Sequence, residues 1–326
     1  MPRVLLLHTG GTLGMRGTPL EPDTYAAGLT ETVPELLQIA SLDIRIICNL
    51  DSSDIGPVHW TQLAQSIAQS RQDYDGFVVV HGTDTMSYTA GALAFALQNL
   101  DRPVVLTGAQ RPLVAHRTDA RRNLVDAVEL ATRPIPEVGI CFDGLFMRGC
   151  RTTKSNVHDY RAFDSPGCQP LARLGVTIEL GEHIRQPTLP FFCDARFEAD
   201  VVVVHITPGL RPAMLEAMLG GYEQLRGVVF AAFGAGTTPA GAHSIAPLVR
   251  KLVDSGVEAL VATQSTGLID LSLYQNSRQL LDAGAISAGG MRLEAAVTKL
   301  MHALAIHPER NARRLYLEAD VAGELA

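Results

Sequence analysis

The stretch RVLLLHTGGTLG, residues 3–14, begins with an apolar, β-prone run and ends in a turn that contains glycines. The run from Arg3 to Leu7 has the composition of one buried strand of a parallel sheet. Gly10 and Gly11 let the backbone turn sharply and approach a ligand closely, because glycine has no Cβ and tolerates positive φ. A buried strand with such a turn at its carboxyl end predicts an α/β fold with a ligand site there.

A second stretch repeats this arrangement further along the chain. Residues 76–80, GFVVV, are again strand-like, and they lead into the turn HGTDT at 81–85. In open α/β sheets, ligands bind outside the carboxyl ends of strands, so both turns are expected to open onto one cleft. Thr12 and Thr83 would then face the same small molecule.

Strand-like runs alternate with helical patterns along most of the chain, which predicts parallel strands joined by right-handed crossovers. Strands are expected at 3–8, 42–48, 76–81, 103–107, 137–142, 200–204, 227–230 and 258–262. Helices are expected near 23–40, 58–73, 87–99, 118–131, 212–223, 244–255, 276–283 and 292–306. The alternation breaks over 143–200, where 145–154 is interpreted as a β-hairpin that reaches toward the cleft.

The pattern therefore predicts two α/β domains, each a mainly parallel sheet flanked by helices. A larger N-terminal domain over 1–185 carries the threonine motifs, a connector covers 186–199, and a smaller C-terminal domain covers 200–326.

Composition disfavours several classes of partner. The 326 residues include 27 Lys and Arg against 34 Asp and Glu, and this net charge of −7 gives no electrostatic reason to bind nucleic acid or an anionic membrane. No apolar run approaches the roughly 20 residues of a membrane span, and the first one is too short for a secretory signal. The five cysteines are scattered, so we expect reduced thiols and a cytoplasmic location. A basic group is interpreted as helix surface with ion pairing: Arg111, Arg117, Arg121 and Arg122.

The motifs do not fit several familiar chemistries. HTGGTLG lacks the Gly-Lys-Ser/Thr ending of a P-loop and the G-x-G-x-x-G spacing of a dinucleotide loop. His81 and Asp84 suggest a metal pair, but no third ligand lies at a suitable spacing, so His81 is interpreted as a hydrogen-bonded structural residue. We expect no metal and no organic cofactor.

The remaining candidates form a hydroxyl-rich site. A threonine hydroxyl is a poor nucleophile unless a neighbouring group takes its proton. Asp84 follows Thr83, and Lys154 lies on the expected hairpin; a lysine can serve as the base if its surroundings depress its pKa. On spacing alone, Thr12 and Thr83 are equally well explained as turn hydroxyls and Lys154 as a surface charge. The segment DSSD, 51–54, adds polar groups to the cleft or caps the next helix, and the two roles are compatible.

A resemblance to a known family is more specific. LLHTGGTLG (6–14) and GFVVVHGTDTM (76–86) resemble the two signatures of the bacterial-type L-asparaginase family, with Leu13 where isoleucine or valine is usual. The chain most resembles the cytosolic type I branch, in which LDSSD and RTTK are typical. The similarity continues through LDSSD (50–54), LTGAQRPL (106–113), DARRNL (119–124), RGCRTTK (148–154) and EAAVTKL (294–300).

The resemblance implies hydrolysis of L-asparagine to L-aspartate and ammonia. Thr12 resembles the nucleophile that forms an acyl-enzyme. Thr83, Asp84 and Lys154 resemble the group that tunes the second threonine, and which threonine attacks first stays open. A homodimer or homotetramer with its active site near a subunit boundary is also implied.

The resemblance further implies how the substrate is held. Ser52 and Ser53 fall where the family binds the α-carboxylate, and Asp84 resembles the ligand of the α-amino group, beside Thr83. Ala109 resembles the residue whose backbone lies against the leaving amide. These contacts would fix a free amino acid, and amides of the two turns would form an oxyanion hole.

This chain departs from the family pattern in two places. Tyr25 is the candidate for a tyrosine on a mobile lid, with an ordinary helix residue as the alternative. The type I branch can carry an allosteric asparagine site built from an arginine and a cysteine, but 230–234 contains no arginine and Ser265 stands at the cysteine position. We therefore predict that this regulation is absent or altered.

Three other functions remain as alternatives. One is a broader amidase that also accepts glutamine or D-asparagine, since one methylene discriminates by only about 1–3 kcal/mol. Another is a subunit of a tRNA-dependent amidotransferase, which we expect less because the chain begins almost at the first motif. The last is a binding or sensor protein, which would not require two threonines and a base.

Overall fold

The computed structural model describes residues 1–16, 21–22 and 28–325. The chain divides into two compact units, Met1–Ala195 and Arg196–Ala326. This division falls inside the stretch that we expect to be the connector, and the detailed domain limits stay a prediction.

The N-terminal unit is built on a sheet that has eight strands among the described residues. The strands of this unit are β1 (Arg3–Gly10), β2 (Met15–Arg16), β3 (Glu21–Pro22), β4 (Ser41–Leu50), β5 (Gly76–Val80), β6 (Leu97–Gln98), β7 (Val104–Thr107), β8 (Val138–Phe142), β9 (Leu145–Arg148), β10 (Thr153–Lys154), β11 (Phe163–Asp164), β12 (Ala172–Leu174), β13 (Ile178–Leu180) and β14 (Phe192–Cys193). Its helices are α1 (Leu29–Thr32), α2 (Leu36–Ile39), α3 (Pro57–Ser70), α4 (Met86–Ala96) and α5 (Ala120–Leu130). The order across the sheet is β13-β12-β9-β8-β7-β5-β1-β4.

The central strands of this sheet are parallel, and their register sets the place of the site. His8 pairs with Val80, and Val80 pairs with Thr107, so β1, β5 and β7 end at the same edge. All residues of β5 are buried, as expected for a parallel strand covered on both faces. The antiparallel strands β9, β12 and β13 extend the sheet on the far side of β8.

The C-terminal unit contains a second, smaller parallel sheet, with the order β15-β16-β17-β18. Its strands are β15 (Val201–His205), β16 (Gly227–Ala232), β17 (Glu258–Thr263) and β18 (Ile286–Ser287), and its helices are α6 (Pro212–Leu219), α7 (Ala246–Asp254), α8 (Gln275–Asp282), α9 (Leu293–Ile306) and α10 (Arg310–Glu318). Gln264 Nε2 donates to Ile206 O at 2.6 Å and to Ala231 O at 2.7 Å, which ties together the strand ends of this unit. The predicted class, two α/β units with mainly parallel sheets, is confirmed.

Two elements of the N-terminal unit differ from the sequence prediction. The single helix expected over 23–40 is wrong within the described residues, because α1 and α2 are separate short helices. Pro34 lies between them, and proline disfavours the α conformation in the residue that precedes it. The hairpin expected over 145–154 is also wrong. β9 pairs with β8, whereas β10 pairs with β11, so Lys154 lies in a separate two-stranded ribbon.

Two further elements were not predicted. Phe192–Cys193, within the expected connector, forms β14 and pairs with β6 of the same unit. Helix α10 follows the two helices that were expected to end the chain. Among the described residues, no helix is both long enough and apolar enough to cross a membrane.

Candidate active site

Three turns meet at the carboxyl edge of the first sheet. They follow β1, β4 and β5, and they contain Gly11, Ser52 and Gly82. A Cβ at Gly11 would collide with the backbone of Gly82, and a Cβ at Gly82 would lie 2.7 Å from Ser52 Oγ and 3.3 Å from Gly11 Cα. Thr85 Oγ1 also donates a hydrogen bond to Ser52 O at 2.5 Å. The turns are therefore packed backbone against backbone, and only glycine fits at the contact.

Thr12 directly follows the first of these glycines. Gly10 and Gly11 have φ values of 110° and 88°, which other residues rarely adopt, so a side chain there would be strained as well as too large. Thr12 is half-buried and begins a 3₁₀ turn over Thr12–Gly14. The Gly11 N–H donates to Leu50 O at 3.2 Å, so this amide is already used within the protein.

Thr83 follows the second glycine, and its hydroxyl contacts a lysine. Lys154 Nζ donates to Thr83 Oγ1 at 2.8 Å and lies 2.6 Å from Asp84 Oδ1. Thr83 is buried and the Lys154 side chain is 15% exposed, whereas the Asp84 side chain is 64% exposed. The lysine is thus placed to exchange a proton with the threonine oxygen. The carboxylate keeps the open face that a cationic ligand group needs.

The backbone that carries Lys154 is held on both sides. Upstream, Arg148 at the end of β9 forms a buried ion pair with Glu137, with N–O distances of 2.6 and 2.9 Å. Thr152 Oγ1 donates to Arg148 O at 2.7 Å and lies 3.0 Å from Ser165 Oγ. Downstream, β10 pairs with β11. These contacts explain how a flexible side chain is fixed at the second threonine.

Ser52 and Ser53 differ in their surroundings. Ser52 is buried against the glycine turns, while Ser53 is exposed. Asp51 Oδ1 accepts hydrogen bonds from Ser53 N at 2.8 Å and Ser53 Oγ at 2.7 Å, and so caps the 3₁₀ turn Ser52–Asp54. The alternative in which 51–54 cap the following long helix is wrong, because α3 begins at Pro57 and its N-cap residue is Gly56.

His81 stabilises the second turn through hydrogen bonds of both ring nitrogens. His81 Nδ1 lies 2.7 Å from Gly82 O and Nε2 lies 2.9 Å from Thr89 Oγ1, which in turn accepts from Trp60 Nε1 at 3.0 Å. A carbonyl can only accept, so Nδ1 carries the hydrogen and Nε2 accepts from the Thr89 hydroxyl. Burial lowers the pKa of His81 to about 4, and the imidazole is neutral. This matches the structural interpretation of His81.

The turn after β7 contains Ala109, which the sequence analysis named, and Gln110, which it did not single out. Ala109 is buried in this turn. The next residue, Gln110, accepts a hydrogen bond from Thr83 Oγ1 at 3.3 Å through its Oε1. Asp119 accepts from Gln110 N at 2.9 Å and from Arg111 N at 3.1 Å, which holds the turn closed. The position of Gln110 at a strand end next to Ala109 was the signal that could have identified it.

Tyr25, the candidate lid tyrosine, lies outside the described residues. Among the residues that the structure describes, no group of three His, Cys, Asp or Glu side chains is placed to hold a metal ion.

Two family models match the chain. The model for "Asparaginase, N-terminal" covers residues 3–186, and the model for "Glutaminase/Asparaginase C-terminal domain" covers residues 200–317. The chain belongs to the asparaginase family. The resemblance seen in the two threonine motifs is therefore confirmed over both units.

Individual members of the family agree with this assignment. An L-asparaginase from Thermococcus kodakarensis is 32% identical over 335 residues, which cover 99% of each chain. A mouse 60 kDa lysophospholipase is 34% identical over 99% of this chain but only 62% of its own length. The solved L-asparaginase I of Vibrio cholerae superposes with a TM-score of 0.90 at 30% identity and covers 100% of this chain and 99% of that one. The similarity to a type I enzyme agrees with the branch indicated by the motifs.

Proposed function

We propose that this asparaginase-family protein hydrolyses L-asparagine to L-aspartate and ammonia. The observation that carries the proposal is the contact between Lys154 Nζ and Thr83 Oγ1, made where the turns of the two threonine motifs pack together. A hydroxyl that touches an amine, beside a second hydroxyl-bearing turn, is an arrangement suited to acyl transfer. The names of the full-length relatives support the amide substrate.

Thr12 is assigned the attack on the substrate. Its Oγ adds to the side-chain carbonyl carbon, the carbon–nitrogen bond breaks, and the hydroxyl proton leaves with the amine as ammonia. The resulting ester joins the aspartyl group to Thr12. Water then adds to the ester carbon, the bond to Oγ breaks, and Oγ regains a proton as aspartate is released. Backbone amides of the two motif turns stabilise the oxyanion in both steps.

Thr83, Asp84 and Lys154 are assigned the proton transfers. Lys154 takes and returns a proton at Thr83 Oγ1, and Asp84 keeps the amine in place. Tyr25 is proposed as the lid residue that closes the site.

The protein groups that bind the charged α-carboxylate and α-ammonium groups of the substrate favour a free amino acid. Ser52 and Ser53, with nearby backbone amides, are proposed to bind its α-carboxylate. Asp84 and Thr83 are proposed to bind its α-ammonium group, for which the exposed carboxylate of Asp84 is suited. The backbone of Ala109 is proposed to lie against the leaving amide.

The scheme uses no metal and no organic cofactor. We infer a homodimer or homotetramer in the cytoplasm from the resemblance to the type I branch, and the five unbridged cysteines are compatible with a reducing compartment.

Ammonia release tests the proposal. The wild-type protein is assayed with L-asparagine, L-glutamine and D-asparagine, beside Thr12→Ala and Thr83→Ala. We expect release from L-asparagine, and a loss of roughly 10³-fold or more in kcat for Thr12→Ala, because a nucleophile is removed. The matched control is Thr177→Ala, the same change at an exposed position of the same unit.

Two outcomes would overturn the proposal in different ways. No release from any amide would favour a binding or sensor protein. Wild-type activity in Thr12→Ala would remove Thr12 as the nucleophile. Adding hydroxylamine provides a further check, since a covalent ester would be diverted to an aspartyl hydroxamate.

A further inference from the structure

Gln110 joins three parts of the site through one side chain and one backbone amide. Its Oε1 accepts from Thr83 Oγ1 at 3.3 Å, and its Nε2 donates to Asp159 O at 3.1 Å. Its backbone N–H donates to the Asp119 carboxylate at 2.9 Å. Asp159 belongs to the segment that links β10 to β11. Gln110 therefore connects the second threonine turn to the two-stranded ribbon that contains Lys154.

The orientation of this side-chain amide follows from its partners. The backbone carbonyl of Asp159 can only accept, so the NH₂ group must face it. The carbonyl oxygen of the side chain then faces Thr83, with no freedom to flip unless the Asp159 contact is lost. The contact at Asp159 therefore makes Gln110 an acceptor toward the threonine.

This orientation determines where the Thr83 hydroxyl directs its hydrogen. A protonated Lys154 donates to Thr83 Oγ1 at 2.8 Å, so the hydroxyl needs another acceptor for its own hydrogen. Gln110 Oε1 is such an acceptor. Proton transfer to Nζ requires the neutral amine of Lys154 and a hydroxyl that has turned away from Gln110 and toward Nζ.

We propose that Gln110 is a positioning residue that fixes the direction of the Thr83 hydroxyl hydrogen and so strengthens the hydrogen bond that Thr83 Oγ1 accepts from Lys154 Nζ. The proposal rests on the proposed function, because it concerns the proton transfers of the same site. The charged groups at this contact are Asp84, beside Lys154, and Asp119, beside the Gln110 backbone. Hydrogen bonds in a chain strengthen one another, so an acceptor at Gln110 makes Thr83 Oγ1 a better acceptor for the ammonium.

Two substitutions at Gln110 test this proposal, because they are expected to move the acid limb of the pH dependence of kcat in opposite directions. Gln110→Leu removes the acceptor, so the hydrogen bond from Lys154 Nζ to Thr83 Oγ1 should weaken. The acid limb of the kcat profile should also move to lower pH, by about half a unit or more. Gln110→Glu keeps an acceptor but adds negative charge within reach of the same oxygen, so the limb should move to higher pH.

The measurements are kcat and KM for L-asparagine between pH 5 and 9, each with the thermal midpoint. KM should stay close to the wild-type value, because neither hydrogen bond of the Gln110 side chain involves the substrate. Gln186→Leu, the same substitution at an exposed residue of this unit, should reproduce the wild-type profile.

The outcomes separate this inference from the proposed function. If wild type and Gln186→Leu release ammonia but both Gln110 variants keep the wild-type limb, the positioning role is overturned and the hydrolase proposal stands. Limbs that move in the same direction for Leu and Glu would also overturn it, since that indicates general disturbance. No ammonia release by the wild-type protein would overturn both.

Discussion

Lys154 Nζ lies 2.6 Å from Asp84 Oδ1, and the two side chains differ sharply in exposure, 15% for the lysine and 64% for the aspartate. An ion pair with one partner so exposed typically contributes no more than about 1 kcal/mol to stability. The pair is therefore poorly explained as a stabilising element. Its geometry fits a proton-transfer group whose amine is held in place by a carboxylate.

Lys154→Met is expected to abolish most activity without unfolding the protein. We expect kcat to fall roughly 10²–10⁴-fold, the range for loss of a general base, while the free energy of unfolding changes by less than about 1 kcal/mol. Ammonia release and a urea titration measure the two quantities. Lys251→Met is the control, because Lys251 forms an ion pair of the same length, 2.6 Å, with exposed Glu216. An active Lys154→Met protein would contradict the assignment.

The threonine turns illustrate what could be predicted from the sequence. Each follows a buried apolar strand, and parallel strands end at a common edge, so the meeting of Gly11 and Gly82 follows from local pattern and topology. The route of Lys154 could not be predicted this way. It depends on β10 and β11, which are only two residues each and carry no periodic signal, and on the distant buried pair Glu137–Arg148. Gln110 was missed because its side-chain contacts are tertiary, with Thr83 and Asp159.

The buried ion pair of Glu137 and Arg148 should be costly to break from one side. Arg148 also donates to His183 O at 3.0 Å, and Glu137 accepts from Arg185 N at 2.7 Å. Arg148→Met leaves a buried carboxylate without its charge partner, so we expect a loss of about 3–5 kcal/mol in unfolding free energy. Trp60, the single tryptophan, lies in this unit and reports its unfolding by fluorescence.

The double variant Glu137→Gln/Arg148→Met provides the comparison for that experiment. Replacing the carboxylate by an amide removes the unpaired charge, so the double variant should be more stable than Arg148→Met alone. A single variant within about 1 kcal/mol of wild type would show that the pair does not hold this segment.

His81 should make the protein less stable at acidic pH. Burial lowers its pKa from 6.5 to about 4, so between these values the unfolded chain binds a proton that the native state does not. The unfolding free energy therefore falls as pH is lowered through this window, by at most about 1.4 kcal/mol per pH unit. In His81→Gln this slope should be shallower, and its stability deficit relative to wild type should shrink from pH 7 to pH 4.

Urea titrations at several pH values, followed by Trp60 fluorescence, measure these slopes. His158→Gln is the control, because His158 is exposed and folding leaves it in water. Parallel stability curves for wild type and His81→Gln would contradict a buried neutral imidazole at this position.

Asp126 on α5 should have the opposite effect. Its Oδ2 is buried with no hydrogen-bond partner among the described residues, and Arg122 Nε is 3.5 Å away. Desolvation raises the pKa of Asp126 to about 6, although the charge of Arg122 lowers it. The native state therefore binds a proton more tightly than the unfolded chain. The carboxylate destabilises the fold above about pH 6, and this cost disappears as pH falls below 3.8.

Asp126→Asn should consequently stabilise the protein at pH 7.5. A rise of the Asp126 pKa from 3.8 to about 6 corresponds to roughly 3 kcal/mol, an upper limit because the contact with Arg122 is lost as well. The gain should shrink through the window from pH 6 to 4, where the slope due to Asp126 opposes that due to His81. Asp73→Asn, the same change at an exposed residue, should leave stability within about 0.5 kcal/mol of wild type. A loss of stability in Asp126→Asn at pH 7.5 would show that the ion pair with Arg122 outweighs the desolvation of the carboxylate.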